Sequence, residues 1–275
     1  MTHGKRWFIT GCSTGFGRAL AELALARGDR VAVTARDPDK VADIVARAPD
    51  RALAVRLDVT HPQEVRAARD AAWEAFGGID MLVNNAGHGL QAMVEDAKDT
   101  QIRALFEVNV FGVMDMIRAF LPRLREQGSG HIINITSVGA RASAPMVALY
   151  SASKYAIEGL CAGLAGEVAG HGIRVSAVEP GAFATDFGTR SLVWLPASAP
   201  YRTVAGAVEQ WLAHATYEDP RGAARAIAAL ADAPEPPAQL PLGKAAYDMI
   251  AGALEDQLAE LRKWRDLSLM ASEPV

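Results

Sequence analysis

The chain has 275 residues, half of them hydrophobic and 22% charged, with a formal net charge of -4 and a pI near 5.9. This is an ordinary globular mixture without a basic block, which argues against sequence-independent binding to a nucleic-acid backbone. Its two cysteines, Cys12 and Cys161, cannot build a disulfide framework or a CxxC metal site.

Residues 1–6 are polar and carry no charged-then-apolar leader. No stretch approaches the roughly 20 apolar residues of a membrane helix, so the expectation is a cytoplasmic protein without a membrane span. Short β-branched runs then alternate with longer helical stretches. Residues 7–10, 31–34, 53–57, 81–83, 132–135 and 175–178 predict strands, and 62–76, 99–126 and 150–170 predict crossover helices. Such alternation predicts an α/β fold: a doubly wound (Rossmann) parallel sheet of about seven strands with helices on both faces. No composition shift marks a linker before residue 185, so residues 1–275 read as a single domain. The rhythm breaks after Phe187. Residues 188–218 hold Trp194, Tyr201 and Trp211 and read either as a substrate lid or as a surface helix pair packing its aromatics. A proline-rich connector, 232–241, precedes a final amphipathic stretch at 244–264.

The first strand runs into Thr10-Gly11-Cys12-Ser13-Thr14-Gly15-Phe16-Gly17 and then a helix. Glycines let the main chain approach a pyrophosphate, and a helix N-terminus supplies free N–H groups and partial positive charge. The spacing is Gly-x-x-x-Gly-x-Gly rather than the commoner Gly-x-Gly-x-x-Gly. Where the second strand ends, an acidic residue would bond the ribose hydroxyls of NAD(H). Ala35-Arg36 stands there instead, and a guanidinium pairs with a 2′-phosphate, which favours NADP(H) with NAD(H) the alternative. Asp37 beside it pulls the other way.

Tyr150 and Lys154 are four apart, on one face of a helix. An ammonium and a cationic nicotinamide together would lower a tyrosine pKa from its usual value near 10, making an acid/base unit. Ser137, just past a strand end, could polarise a carbonyl or merely cap a turn.

Thr10-Gly11-x-x-x-Gly15-x-Gly17, Asn84-Asn85-Ala86-Gly87, Asn109, Ser137, Tyr150-x-x-x-Lys154 and Pro180-Gly181 occur in order. Together they resemble the short-chain dehydrogenase/reductase family, firmly over residues 5–187 and loosely beyond. The resemblance implies Tyr150 as general acid/base, Lys154 as its partner and ribose ligand, Ser137 as orienter of the substrate oxygen, and Asn109 as holder of a relay water. It implies cofactor contacts from Gly11, Ser13, Thr14, Gly15, Phe16, Gly17, Asn85, Ala86, Gly87, Pro180 and Gly181. Asp58 and Val59 would meet the adenine, and Thr185 the nicotinamide amide. Arg36 fits the family's NADP-preferring pattern, although Thr14 replaces a basic residue some such members carry.

By the family's topology the substrate pocket would draw on Gly139, Arg141, Met146, Leu149, Phe183 and Phe187. Their apolar character implies a bulky hydrophobic alcohol or ketone, and the surrounding segments look similar to 17β-hydroxysteroid and retinol dehydrogenases. Assembly as a homodimer or homotetramer through helices 99–126 and 150–170 is implied too. The competing readings are a non-catalytic dinucleotide sensor, which would not need serine, tyrosine and lysine together, and an epimerase or dehydratase with retained cofactor. No metal is expected. His88 is a candidate at the pocket mouth, while His131, His171 and His214 read as solvated and Cys12 and Cys161 as packed side chains. Glu179 and Asp186 flank the Pro180 turn.

Overall fold

In the computed structural model, which describes residues 4–272, strand β1 (Arg6–Ile9) alternates its side chains between two hydrophobic layers. Trp7 and Ile9 face one side and Phe8 the other, as the period of two requires. The remaining strands are β2 (Arg30–Ala35), β3 (Ala52–Arg56), β4 (Met81–Asn84), the short β5 (Gly89–Gln91), β6 (Gly130–Ile135), β7 (Ile173–Pro180), the short β8 (Leu192–Trp194) and β9 (Gln239–Leu242). Seven of them form one sheet in the order β3-β2-β1-β4-β6-β7-β9, every pair parallel. The strand order reverses between β1 and β4, and in open α/β sheets ligands bind outside the carboxyl ends at such a point.

Helices α1 (Gly15–Ala26), α2 (Ala42–Ala46) and α8 (Pro220–Asp232) cover the Trp7 face through Leu20, Ile44 and Ile227. Helices α3 (Pro62–Phe76), α5 (Val113–Gln127) and α6 (Ala148–Val168) cover the other through Val65, Phe120 and Ile157. Phe8 meets Phe120 edge-on with ring centroids 4.7 Å apart. Each such side chain fully buried contributes about 1.5–3 kcal/mol. The doubly wound sheet with helices on both faces is therefore as expected.

Three segments differ from expectation. Residues 99–126 are not one helix: α4 (Asp99–Phe106) passes into a π turn, Glu107–Gly112, before α5 resumes. The extra residue per turn leaves the i, i+4 pattern almost undisturbed in sequence, which is why the break is invisible there. The proline-rich connector is in part a strand, since residues 239–242 pair with β7. Pro241 is tolerated because β9 lies at the sheet edge, where a missing N–H costs no ladder bond. The insertion at 188–218 begins within a π turn, Phe187–Ser191, and continues as β8 and helix α7 (Arg202–Ala213). β8 pairs in parallel with β5. Tyr201 packs with Met93, Met146 and Ala205, whereas Trp194 and Trp211 stay exposed.

His131 is a further correction. It sits buried on β6 against the Ser176 hydroxyl (2.9 Å), and burial followed by the Arg174 and Lys5 charges pushes its pKa down to about 4. His171 and His214 are exposed, as expected. The chain finishes with α9 (Lys244–Lys263) and the short α10 (Arg265–Leu269).

Candidate active site

At the carboxyl end of β1 the chain turns through Gly11 and Gly15, both left-handed at φ +72° and +60°. Gly17 is needed for a different reason: a Cβ there would lie 2.4 Å from the Gly11 carbonyl oxygen and 2.6 Å from Asn85 Nδ2. Thr14 begins α1 with no side-chain cap, and no acidic residue occupies its first turn. The helix N–H groups are thus left for an anion, and a side chain at Gly17 would force the Gly11 carbonyl and Asn85 apart beneath the loop. The loop residues Ser13, Thr14 and Gly15 line a crevice whose far wall includes Thr185 and Asp186.

The loop is bolted from below. Gly11 N donates to Thr34 Oγ1 (3.2 Å) and Cys12 N to the Thr34 carbonyl (2.7 Å). Asn85 Nδ2 donates to the carbonyls of Thr10 (2.8 Å) and Gly11 (3.1 Å), while Thr10 Oγ1 accepts from Asn85 N and Ala86 N. Asn85 is therefore a clamp, with its amide donors spent on the loop rather than free for a ribose. Cys12 lies buried beneath with its thiol pushed up to about 12 by burial. Cys161 is packed in the opposite layer, as expected.

Past β2, Arg36 is exposed and has no ion-pair partner among the described residues. Asp37 is occupied locally, its carboxylate accepting from Asp39 N at 3.2 Å. Asp58 accepts from Thr60 N (3.0 Å) and Thr60 Oγ1 (2.7 Å). Burial acts to raise its pKa, but these bonds with the His61 and Arg36 charges leave it below the usual carboxylate value. Val59 is buried against the π turn, where a Cβ on Gly112 would stand 2.8 Å from Val59 Cγ2.

Ser137 caps the 3-10 turn Val138–Ala140, its Oγ accepting from Gly139 N at 3.1 Å. Tyr150 stands in the first turn of α6 and Lys154 one turn later. Lys154 Nζ lies 5.8 Å from the Tyr150 ring centroid and donates to the Ile135 carbonyl at 2.9 Å. Serine, tyrosine and lysine are thus brought together as expected, but the tyrosine pKa is not lowered by the chain itself. Burial pushes it up to about 12, against a smaller opposing effect of the Ser137 hydroxyl. Burial also takes the Lys154 ammonium down to about 8, with Glu158 acting to raise it.

Asn109 is buried within the π turn. Its Oδ1 accepts from His88 N (3.0 Å), and its Nδ2 donates to His88 O (2.9 Å) and Ser153 Oγ (3.1 Å). The side chain is committed to protein partners, so any water it held would fall to its main chain. Gly87 brings the backbone close: a Cβ there would sit 3.1 Å from Asn109 Oδ1 and 3.6 Å from Lys154 Nζ. His88 is half-buried, and burial, then Lys154 and Arg36, lower its pKa.

Of the expected substrate residues, Phe187 places its ring 6.0 Å from that of Tyr150. Gly139 backs the site, a Cβ there falling 3.5 Å from Ser137 Oγ and 4.0 Å from Tyr150 Cε1. Leu149 packs with Leu90, Leu105 and Leu195, and Met146 with Met93 and Ala205. Met146 is strained at φ +65°, which no other non-glycine residue shows among those described. Two expectations are corrected. Phe183 is buried and meets Phe16 edge-on (5.0 Å) beneath the glycine loop. Arg141 turns to the buried Glu179 (3.4 Å), because an unpaired carboxylate there would be costlier than a tethered guanidinium. Glu179 is pushed up to about 7 by burial, then by Glu158, with Arg141 opposing.

Thr185 faces the loop, 3.6 Å from where a Cβ on Gly15 would be, and its Oγ1 accepts from Phe187 N at 3.3 Å. After Pro180, Gly181 N donates to the Leu242 carbonyl (3.1 Å), and a Cβ there would crowd Ala246 of α9. Sequence reasoning missed Gly89 and Leu192. A Cβ on Gly89 would lie 2.6 Å from Leu192 Cδ1 and 2.8 Å from Phe187 Cζ. Nothing local in the sequence joins positions so far apart.

Residues 5–194 match the short chain dehydrogenase family model. The chain is 38% identical over 272 residues to the oxidoreductase BOA17 of Botryotinia fuckeliana, covering 98% of this chain and 99% of that one. A short-chain dehydrogenase from Streptomyces avermitilis superposes with a TM-score of 0.93 at 40% identity, covering 98% and 99% of the two chains. A short chain dehydrogenase from Burkholderia cenocepacia solved in complex with NADP gives 0.76 at 29% identity, covering 95% and 97%.

Proposed function

The chain belongs to the short-chain dehydrogenase family of NAD(P)-dependent oxidoreductases, and from that premise we propose that it is an NADP(H)-dependent enzyme interconverting a hydrophobic alcohol and its ketone or aldehyde. The observation that carries this reading is the Tyr150 ring held beside Ser137 above Lys154, next to the open N-terminus of α1. A pyrophosphate would rest on Gly11 to Gly17, a 2′-phosphate on Arg36, and the nicotinamide ribose on Lys154. Bound there, the nicotinamide supplies or accepts the hydride and, when oxidised, adds positive charge to the site.

The chain's own groups do the rest. In reduction Tyr150 Oη donates a proton to the substrate oxygen, and in oxidation it takes that proton back. The Ser137 hydroxyl bonds the same oxygen as negative charge grows. The Lys154 ammonium, held near the Tyr150 ring, favours the phenolate when charged. Phe187 forms an apolar wall, and β8 with α7 forms the lid of the single domain. Asn109 fixes the His88 backbone so that Gly87 stays against Lys154. The groove lined by Phe111, Met114, Ile117, Leu121, Leu160 and Leu164 is the surface for homodimer assembly. Among the described residues no helix is long and apolar enough to cross a membrane.

The test is Tyr150→Phe. Turnover of a ketone panel should fall by about 10²–10⁴ while NADPH binding is retained, and turnover like the wild type would overturn the assignment. NADPH should bind at least about ten-fold tighter than NADH, or 1.4 kcal/mol.

A further inference from the structure

Among the described residues, half of the large apolar side chains left exposed lie in a single stretch, 247–270. Tyr247, Leu254, Leu258, Leu261, Trp264 and Leu267 are each between 42% and 65% exposed. The inner half of α9 explains itself: Ala246 and Ile250 are buried, and Ala246 abuts Gly181. From residue 254 onward nothing on α9 is buried or half-buried, so its outer turns stand clear of the body. Isolated helices of this length are marginal in water, and contiguous exposed apolar surface marks a contact site.

We propose that the outer half of α9 packs antiparallel against the same helix of a second copy of this chain. Leu254, Leu258 and Leu261 follow one another at spacings of four and three, a narrow seam of the coiled-coil kind rather than a broad core face. The charges beside the seam identify the partner. Glu255 and Arg262 are seven residues apart and flank the leucines on one side. With a twofold axis between Leu258 and Leu261, Leu258 stacks on the partner's Leu261 and Glu255 stands opposite the partner's Arg262. The reciprocal pair follows by symmetry, so two ion pairs close the seam. A parallel pairing would put the two copies of this flank on opposite sides of the seam, so Glu255 and Arg262 would not meet across it. This surface is distinct from the groove between α5 and α6, and both can be occupied at once.

The test uses the full chain in sedimentation equilibrium. Leu258→Glu with Leu261→Glu should reduce the wild-type mass by about half without changing turnover or NADPH binding. Glu255→Arg alone and Arg262→Glu alone should each raise the dissociation constant of this contact, on the order of ten-fold, because attraction becomes repulsion twice. An equimolar mixture of those two variants should recover wild-type affinity, since both pairs are again opposite in charge. Equal masses for every sample would overturn the proposal. So would a wild-type mass matching the double-leucine variant together with co-sedimentation on phosphatidylserine vesicles, which would assign the stripe to lipid.

Discussion

At the scale of single residues, Arg36 has the sharpest consequence. It is exposed, without an ion-pair partner among the described residues, and its acidic neighbour is already engaged in a turn. Arg36→Ala should weaken NADPH binding by about ten- to a hundred-fold, the worth of a charge-assisted bond, and leave NADH binding unchanged in a fluorescence titration. Two buried titratable groups shape stability in opposite directions. His131, lowered to about 4 from 6.5, binds protons only in the unfolded chain across that window, so stability is lost as pH falls from 6.5 toward 4. Glu179, raised to about 7 from 4.5, contributes stability that is full below 4.5 and lost as pH rises through 7. The two slopes oppose each other where the windows overlap. Glu179→Gln should therefore steepen the rise of denaturation midpoint between pH 4.5 and 6.5; an unchanged slope would refute the assignment. Tyr150, Lys154 and Ser137 were legible in the sequence because helical spacing and a strand end fix them. Phe183 and Arg141 were not, since their direction depends on Phe16 and Glu179, partners distant in sequence.

Elements of regular structure set what the site can accept. The β5–β8 pair brings Gly89 under Leu192 and Phe187, and only a missing side chain lets them close over Tyr150. Gly89 does not adopt a left-handed conformation, so Gly89→Val acts through space alone. That variant should raise KM for a bulky ketone several-fold by displacing Phe187, with NADPH affinity preserved; a matching loss of NADPH affinity would mean that the glycine loop had moved instead. The long helices and central strands were readable because their apolar periods are unbroken. The π turn at Glu107–Gly112 and edge strand β9 were not, because one hides within a helical pattern and the other contains a proline.

For the whole molecule, the proposed cofactor site couples ligand to fold, since the glycine loop, the segment after β4 and the turn after β7 would all contribute to it. At a hundred-fold excess over Kd, NADPH should stabilise the chain by about 2.7 kcal/mol. For a chain of this size that is a rise of roughly 5–10 °C in Tm by scanning calorimetry, and Arg36→Ala should need more ligand for the same rise. The overall architecture was legible from the alternation of strands and helices, whereas the role of the insertion was not, because its aromatics divide between packing and exposure.

Helix α8 lies over α1, and Ile227 and Leu230 complete the layer that Trp7 and Ile9 begin. The chain emerges from the ribosome N-terminus first, so the strands and helix of the proposed dinucleotide site are made long before their outer cover. Every sheet pairing is parallel, and none can close as a local hairpin. The nascent N-terminal half therefore carries an uncovered greasy face through most of synthesis, a window in which chaperones or neighbouring chains compete for it. Truncation before residue 220 should consequently yield an aggregating fragment rather than a small nucleotide-binding module.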